Sequence, residues 1–211
     1  MVSVRRRVKH PAEPVAVIGG AALLAGSWVV VAAGGDVPGW EATLFRRIND
    51  LPDALWPVVR VPMQLGSFVG SLVVVAGTAA ITRNRRLTVA TLISSQVAYW
   101  AAKAVKQAVS RARPADLLVG VHLHEHAHGL GYLSGHTAVA CALAATLGPE
   151  LAPTGQVIAA VLAVTVAFAR VYAGAHLPLD VVGGAGLGLL VGTLTRWALG
   201  MGGEGMPSRV K

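Results

Sequence analysis

Residues 151–180 read LAPTGQVIAAVLAVTVAFARVYAGAHLPLD. Leu151 to Ala169 carries no Asp, Glu, Lys or Arg over nineteen residues, and a helix needs about 20 apolar residues to cross the hydrocarbon of a bilayer. The run stops at Arg170, and the turn-forming stretch Gly174-Ala175-His176-Leu177-Pro178 precedes the next apolar segment. This alternation of uncharged run and short ionisable segment decides the fold, and it recurs along the chain. Val15–Ala33 and Val61–Thr82 are uncharged and long enough to span. Leu87–Ala102 is shorter, and a helix there runs on through Lys103 and Lys106. Gly129–Pro149 and Val181–Thr195 complete the set.

Composition agrees. Of 211 residues, 54% are hydrophobic and only 13% charged, against about 25% charged in a soluble domain, and the mean hydropathy is +0.60. Such a chain needs a solvent that accepts apolar surface on every side, which excludes disordered, collagenous and soluble enzyme classes. The expected fold is all-α, an integral membrane bundle of six transmembrane helices with a short interfacial helix after the first. Its membrane domain is expected over 15–199, between cytoplasmic tails at 1–14 and 200–211. No internal repeat is visible, and the abundance of Ala, Gly and Val suits close helix packing in lipid.

The net charge of +8 does not form a nucleic-acid-binding stripe, because its basic residues sort by membrane side. Arg5, Arg6, Arg7 and Lys9 precede the first span, too long for the apolar core of a signal peptide. Arg83, Arg85 and Arg86 lie between spans two and three, and Arg196, Arg209 and Lys211 follow span six. All ten fall on one side, which the positive-inside rule makes cytoplasmic, with both termini inside a multi-pass cell-membrane protein. Arg46, Arg47 and Arg60 follow span one, where Trp40–Leu51 alternates apolar and charged residues as a surface helix does.

Lys103, Lys106, Arg111, Arg113 and Arg170 remain, on or near the opposite face and against the charge rule. Charges kept in or beside a membrane span usually serve function. Alternating spans bring the ends of three and five and the starts of four and six to that face. It therefore collects Lys106 and Arg113, then Ser134, Gly135 and His136, then Arg170, and finally His176 and Asp180.

Lys103, Lys106, Ser110 and Arg113 are spaced three, four and three apart, which predicts one cationic helix face ending at Pro114 beside Arg113. Ser134 stands where an N-cap belongs, so the amides of Gly135 and His136 point out of a helix start and attract anions. Three cations and a helix start exceed what a carboxylate requires and suit a phosphoryl group. Pro178 opens the last helix and places Asp180 in its first turn, four residues from His176. A carboxylate on one ring nitrogen fixes the His176 tautomer and frees the other nitrogen as a nucleophile. His136 is then available to protonate the leaving oxygen and to deprotonate water. The scheme calls for no metal and no other cofactor.

The pattern Lys106-(six residues)-Arg113-Pro114, Ser134-Gly135-His136, and Arg170-(five residues)-His176-(three residues)-Asp180 resembles the three-part signature of the type 2 phosphatidic-acid phosphatase superfamily. The resemblance covers residues 100 to 182. It implies a six-helix membrane enzyme that hydrolyses a lipid phosphate or polyprenyl pyrophosphate, undecaprenyl pyrophosphate among them, through a phosphohistidine and without metal. It also implies that Lys106, Arg113, Ser134, Gly135 and Arg170 hold the phosphate. His136 is then the acid and base, His176 the nucleophile and Asp180 its partner. The chain departs from the signature at Leu133, usually Pro, and at Ala169, often Ser; neither change removes a charged or nucleophilic group. The expected partner is a lipid phosphate within the bilayer, at the outer face, and not nucleic acid; the oligomeric state stays open. Two alternatives are a lipid phosphotransferase using the same histidine and a non-catalytic lipid-phosphate binding or transport protein.

His122, His124, His126 and His128 recur at every second residue, with Glu125 among them, a period that puts them on one side of an extended strand. Imidazoles suit zinc or copper, but alternate strand positions splay instead of closing a tetrahedron, so the plainer reading is a solvated loop over the site. Cys141, the single cysteine, reads as a small core residue. The five tryptophans lie mostly near span ends, as interfacial anchors do.

Overall fold

A computed structural model describes residues 12–33 and 35–202. The basic residues expected in the two tails, Arg5, Arg6, Arg7, Lys9, Arg209 and Lys211, lie outside the described residues. The described chain is all-helical: α1 (Ala12–Ala33), α2 (Gly39–Asn49), α3 (Trp56–Met63), α4 (Phe68–Thr82), α5 (Arg85–Val109), α6 (Pro114–Leu117), α7 (Gly135–Leu147), α8 (Pro153–Tyr172) and α9 (Pro178–Ala198). Three of these, α1, α8 and α9, are long and apolar enough to cross a membrane. A fourth span results if the pair α3–α4, bent by 71°, is counted as one.

Two expected spans are altered. The uncharged run Val61–Thr82 is not one helix. Pro62 sits at its start, a 3-10 turn occupies Gln64–Gly66, and α4 begins afresh with Ser67 as N-cap, its Oγ accepting from the Gly70 amide at 2.9 Å. The run Gly129–Pro149 turns helical only at Gly135, because the preceding strap is held by other elements. The Gly131 amide donates to Arg111 O at 2.7 Å and the Ser134 amide to Asp180 O at 2.8 Å. The surface helix expected over Trp40–Leu51 is present as α2, with Arg46 and Arg47 exposed and Glu41, Phe45 and Asn49 buried along one face at helical spacing.

At the centre lies α7, packed on α9, α5 and α8, while α1 covers another side of α9. Backbone approach here depends on small residues. A Cβ at Gly184 would stand 2.5 Å from Ser134 O, and one at Gly192 2.7 Å from Ala142 O, with Gly188 against Ala138 O between them. This four-residue repeat is the small-residue seam that lets membrane helices pack without a hydrophobic driving force. Along the α7–α5 contact, Ala98, Ala102, Ala138, Val139 and Ala142 form the core with Tyr132 and Leu133. Ala169 is fully buried against Val59, Met63 and Tyr172. The outward faces of α1, α4 and α8 carry exposed Ile18, Val29, Val69, Val73, Ile81, Val161 and Val164, as a lipid-facing surface requires.

Candidate functional site

The same end of the bundle receives the C-termini of α5 and α8 and the N-termini of α7 and α9, and there the sequence-predicted residues meet. Lys106 lies in the last turn of α5. Its Nζ donates to Leu130 O at 2.7 Å and Gly131 O at 2.8 Å. The expected helical strip through Arg113 does not form. Ser110 takes a left-handed φ of 54°, and its amide closes the helix on Lys106 O. Arg113 is extended (φ −84°, ψ 164°) ahead of Pro114, the conformation a residue preceding proline prefers. Lys103 lines the same cavity further along α5, its Nζ 4.8 Å and 4.9 Å from the ring centroids of Tyr99 and Trp100. Arg113 still reaches the site from its loop, donating to His128 O and Gly129 O through Nε and to Ala175 O through Nη1 at 2.7 Å.

Ser134 caps α7 as expected, its Oγ accepting from the Thr137 amide at 3.4 Å and the Thr137 hydroxyl at 3.0 Å. The freed amides at the helix start lie beside Gly135 and His136, which both line the site cavity. Arg170 in the last turn of α8 is 3% exposed. Its Nη1 donates to Glu125 Oε1 at 2.8 Å and contacts Met63 Sδ at 3.6 Å, and its Nε has no partner among the described residues. The Arg170 carbonyl accepts the amides of Ala175 and His176, both at 3.2 Å, so the chain reverses sharply. Gly174 makes that reversal possible: its φ is +73°, and a Cβ there would stand 2.5 Å from His122 O.

His176 is 2% exposed, with Nδ1 3.4 Å from Asp180 Oδ2. Burial, and then the positive charges of Lys106, Arg170 and Arg113, hold its imidazole well below the usual histidine range. A neutral ring results, with one nitrogen on the carboxylate side. Asp180 is fully buried and fully engaged. Its Oδ2 accepts the Leu177 amide at 2.9 Å and its Oδ1 accepts from Arg111 at 2.9 Å.

Arg111 and Glu41 are the residues that sequence reasoning underused. The Arg111 guanidinium bridges Asp180 and Glu41, with an ion pair of 2.6 Å to Glu41 Oε2. Glu41 Oε1 in turn accepts the Leu179 amide at 2.8 Å. The signals were a charge on the wrong side of the membrane at Arg111 and a carboxylate in register with Phe45 and Asn49 on α2. Glu125 is a third such residue, which the sequence sets only among the alternating histidines. That segment is a loop and not a strand. The His124 ring lies 4.4 Å from that of Tyr172, tilted by 32°, with its Nε2 3.1 Å from Asp53, whereas His122, His126 and His128 are exposed. Among the described residues no group of three or more metal-ligating side chains converges.

Lys106, Arg113, Glu125, His136, Arg170 and His176 line one cavity of about 760 Å³. Lys106 and Arg113 donate there to backbone carbonyls, and neither forms an ion pair among the described residues. An anionic tetrahedral group would meet three cations, a helix start and a neutral imidazole backed by a carboxylate.

The PAP2 superfamily model matches residues 85–202, more than half of the chain and the portion that builds this cavity. The chain belongs to the PAP2 superfamily. Among solved structures it is similar to LpxE of Aquifex aeolicus, at 25% identity and a TM-score of 0.71, over 76% of this chain and 97% of that one. It also shares its fold with a transmembrane PAP2-type phosphatidylglycerolphosphate phosphatase of Bacillus subtilis, at 21% identity and a TM-score of 0.73, over 92% of this chain and 99% of that one. No curated protein matches the chain significantly.

Proposed function

We propose that this chain is a membrane-embedded lipid phosphatase acting through a phosphohistidine. The observation that carries the reading is the neutral, carboxylate-backed His176 facing a cavity that also holds Lys106, Arg113, Arg170 and His136. The phosphatidylglycerolphosphate phosphatase activity of one structural neighbour supports it. The substrate is a lipid phosphomonoester or a polyprenyl pyrophosphate. Its phosphoryl oxygens lie against Lys106, Arg113, Arg170 and the α7 start at Ser134 and Gly135. To enter, the phosphoryl group takes the place of the Glu125 carboxylate on Arg170.

The free nitrogen of His176 attacks phosphorus, forming a P–N bond as the P–O bond to the lipid breaks. His136, which takes up a proton as the anionic phosphoryl group enters beside it, gives that proton to the departing oxygen. Water then attacks the same phosphorus and gives a proton to His136, and the P–N bond breaks with its electron pair returning to His176. Inorganic phosphate and the shortened lipid result. Asp180 stabilises the His176 tautomer, and Arg111 with Glu41 positions Asp180. α1, α3–α4, α5, α7, α8 and α9 form six spans over 15–199. The tails at 1–14 and 200–211 lie in the cytoplasm, and the cavity opens at the outer face.

The test is phosphate release by purified protein from a panel of lipid phosphates and pyrophosphates, wild type against His176→Ala. Release by the wild type with an acid-labile phosphoenzyme, both lost in the variant, is the expected result. Equal release by the two proteins overturns the assignment of the nucleophile. Release that appears only when an acceptor lipid is supplied favours phosphotransfer over hydrolysis.

A further inference from the structure

The 760 Å³ cavity is larger than one phosphoryl group needs, and it does not end at Lys106. It extends along α5 to Tyr99, Trp100, Lys103 and Gln107. Lys103 lies one helical turn before Lys106, about 4.5 Å deeper along the axis at 1.5 Å per residue. Among the described residues it forms no ion pair. A lysine near the end of a span ordinarily snorkels toward the nearer interface. Lys103 instead turns back along α5. Its ammonium lies over the rings of Tyr99 and Trp100 at 4.8 Å and 4.9 Å. Those residues precede it by four and three positions, so the charge is folded back along α5 toward the helix N-terminus. Two aromatic faces stabilise a cation there, yet leave its hydrogen-bond donors free.

We propose that Lys103 is a specificity residue that binds a second phosphoryl group of the substrate, on the acyl-chain side of the one that His176 attacks. This rests on the phosphatase reading above and narrows it. The preferred substrate class is a lipid whose headgroup carries two phosphoryl groups, the outer one cleaved and the inner one held by Lys103. A diphosphate and a phosphomonoester carried on a phosphodiester headgroup share that chemistry. A lipid with a single phosphomonoester would leave Lys103 without an anion.

The experiment compares wild type, Lys103→Gln and Lys103→Arg, purified as full chains in mixed micelles. The substrates are a prenyl diphosphate, a phosphatidylglycerol phosphate and a phosphatidate. A charge-assisted hydrogen bond is worth roughly 1.5–3 kcal/mol, so Lys103→Gln is expected to lower the two-phosphoryl to one-phosphoryl ratio of kcat/KM by at least about tenfold. The loss should fall mainly in KM, and Lys103→Arg should restore most of the ratio. A fall with the diphosphate alone, or with the phosphodiester lipid alone, identifies which of the two sources Lys103 reads. An equal effect on all three lipids, or none, overturns the proposal while leaving the phosphatase reading intact. Wild type that releases phosphate from none of them overturns both.

Discussion

Arg170, in the last turn of α8, and Arg196, in the last turn of α9, are buried at opposite ends of the bundle, 3% and 2% exposed. Each leaves its Nε without a hydrogen-bond partner among the described residues, and each adjoins a cavity. Their surroundings differ in charge. Arg196 meets Glu150 at 3.0 Å and Glu13 at 3.7 Å and also donates to the carbonyls of Thr146 and Met201. Two carboxylates neutralise one guanidinium, and the adjoining cavity of about 640 Å³ is walled mostly by small and apolar residues, Ala16, Ala144, Ala145, Ala160 and Ala163 among them. Arg170 shares Glu125 with a cavity into which Lys106 and Arg113 bring two further cations. A buried arginine alone therefore says little, whereas an uncompensated surplus of cations around a space says that an anion belongs there.

The difference is sharpest in what substitution should do. His176→Ala at the first end is expected to lower phosphate release by at least about a thousandfold with the thermal midpoint kept, since nucleophile and acid–base losses of this kind cost several orders of magnitude. Steady-state rates with matched thermal unfolding check it. At the other end Arg196→Ala should do the opposite. Removing one partner of a buried ion pair costs roughly 3–5 kcal/mol, so the midpoint drops while turnover per folded molecule persists. If Arg196→Ala abolished turnover in protein that still folds, the contrast between the two ends would be broken.

Much of this is legible in the sequence. The uncharged runs located α1, α8 and α9, and the three motif spacings located Lys106, Arg113, the Ser134 cap, Arg170, His176 and Asp180. Hydropathy failed where local geometry prevails. It cannot see that Ser110 leaves the helix in a left-handed conformation, or that Pro62 and the turn at Gln64–Gly66 break an apolar run. It also failed for pairings distant in sequence. Glu41 and Arg111 are seventy residues apart, and only the packing of α2 against α8 and α9 brings the carboxylate under the Leu179 amide. Lys103 and Lys106 share a helix and a charge, but their surroundings separate them: one lies over aromatic rings and the other binds loop carbonyls.

A smaller effect tests the charge balance at the site itself. Glu125 is the carboxylate that compensates Arg170, so Glu125→Gln keeps an acceptor of similar shape while removing the negative charge. Anions should then bind more tightly. Exchanging a charged for a neutral hydrogen bond is worth about 1 kcal/mol, so vanadate, which resembles the pentacoordinate transition state, should inhibit roughly fivefold more strongly. Inhibition constants for wild type and variant measure this directly. Weaker inhibition would mean that Glu125 holds Arg170 in position for the anion and does not compete with it.

The smallest expected effect concerns pH and follows from the neutral imidazole. Burial and three nearby cations push His176 well below its ordinary value of 6.5, so on acidification the nucleophile stays unprotonated through the range where a free histidine would titrate. The acid limb of kcat/KM should therefore lie below pH 6.5 as far as this group sets it. Stability has its own sign. The unfolded chain takes up the proton that folded His176 refuses, so below 6.5 the unfolded state binds more protons and the fold loses stability as pH falls. Between pH 8 and 5.5 the thermal midpoint of wild type should decline more than that of His176→Ala, which has no imidazole to protonate. Parallel declines in the two proteins would show that His176 is not held neutral by its surroundings. The charge surplus that distinguishes this end of the bundle would then have to be matched by carboxylates, as it is around Arg196.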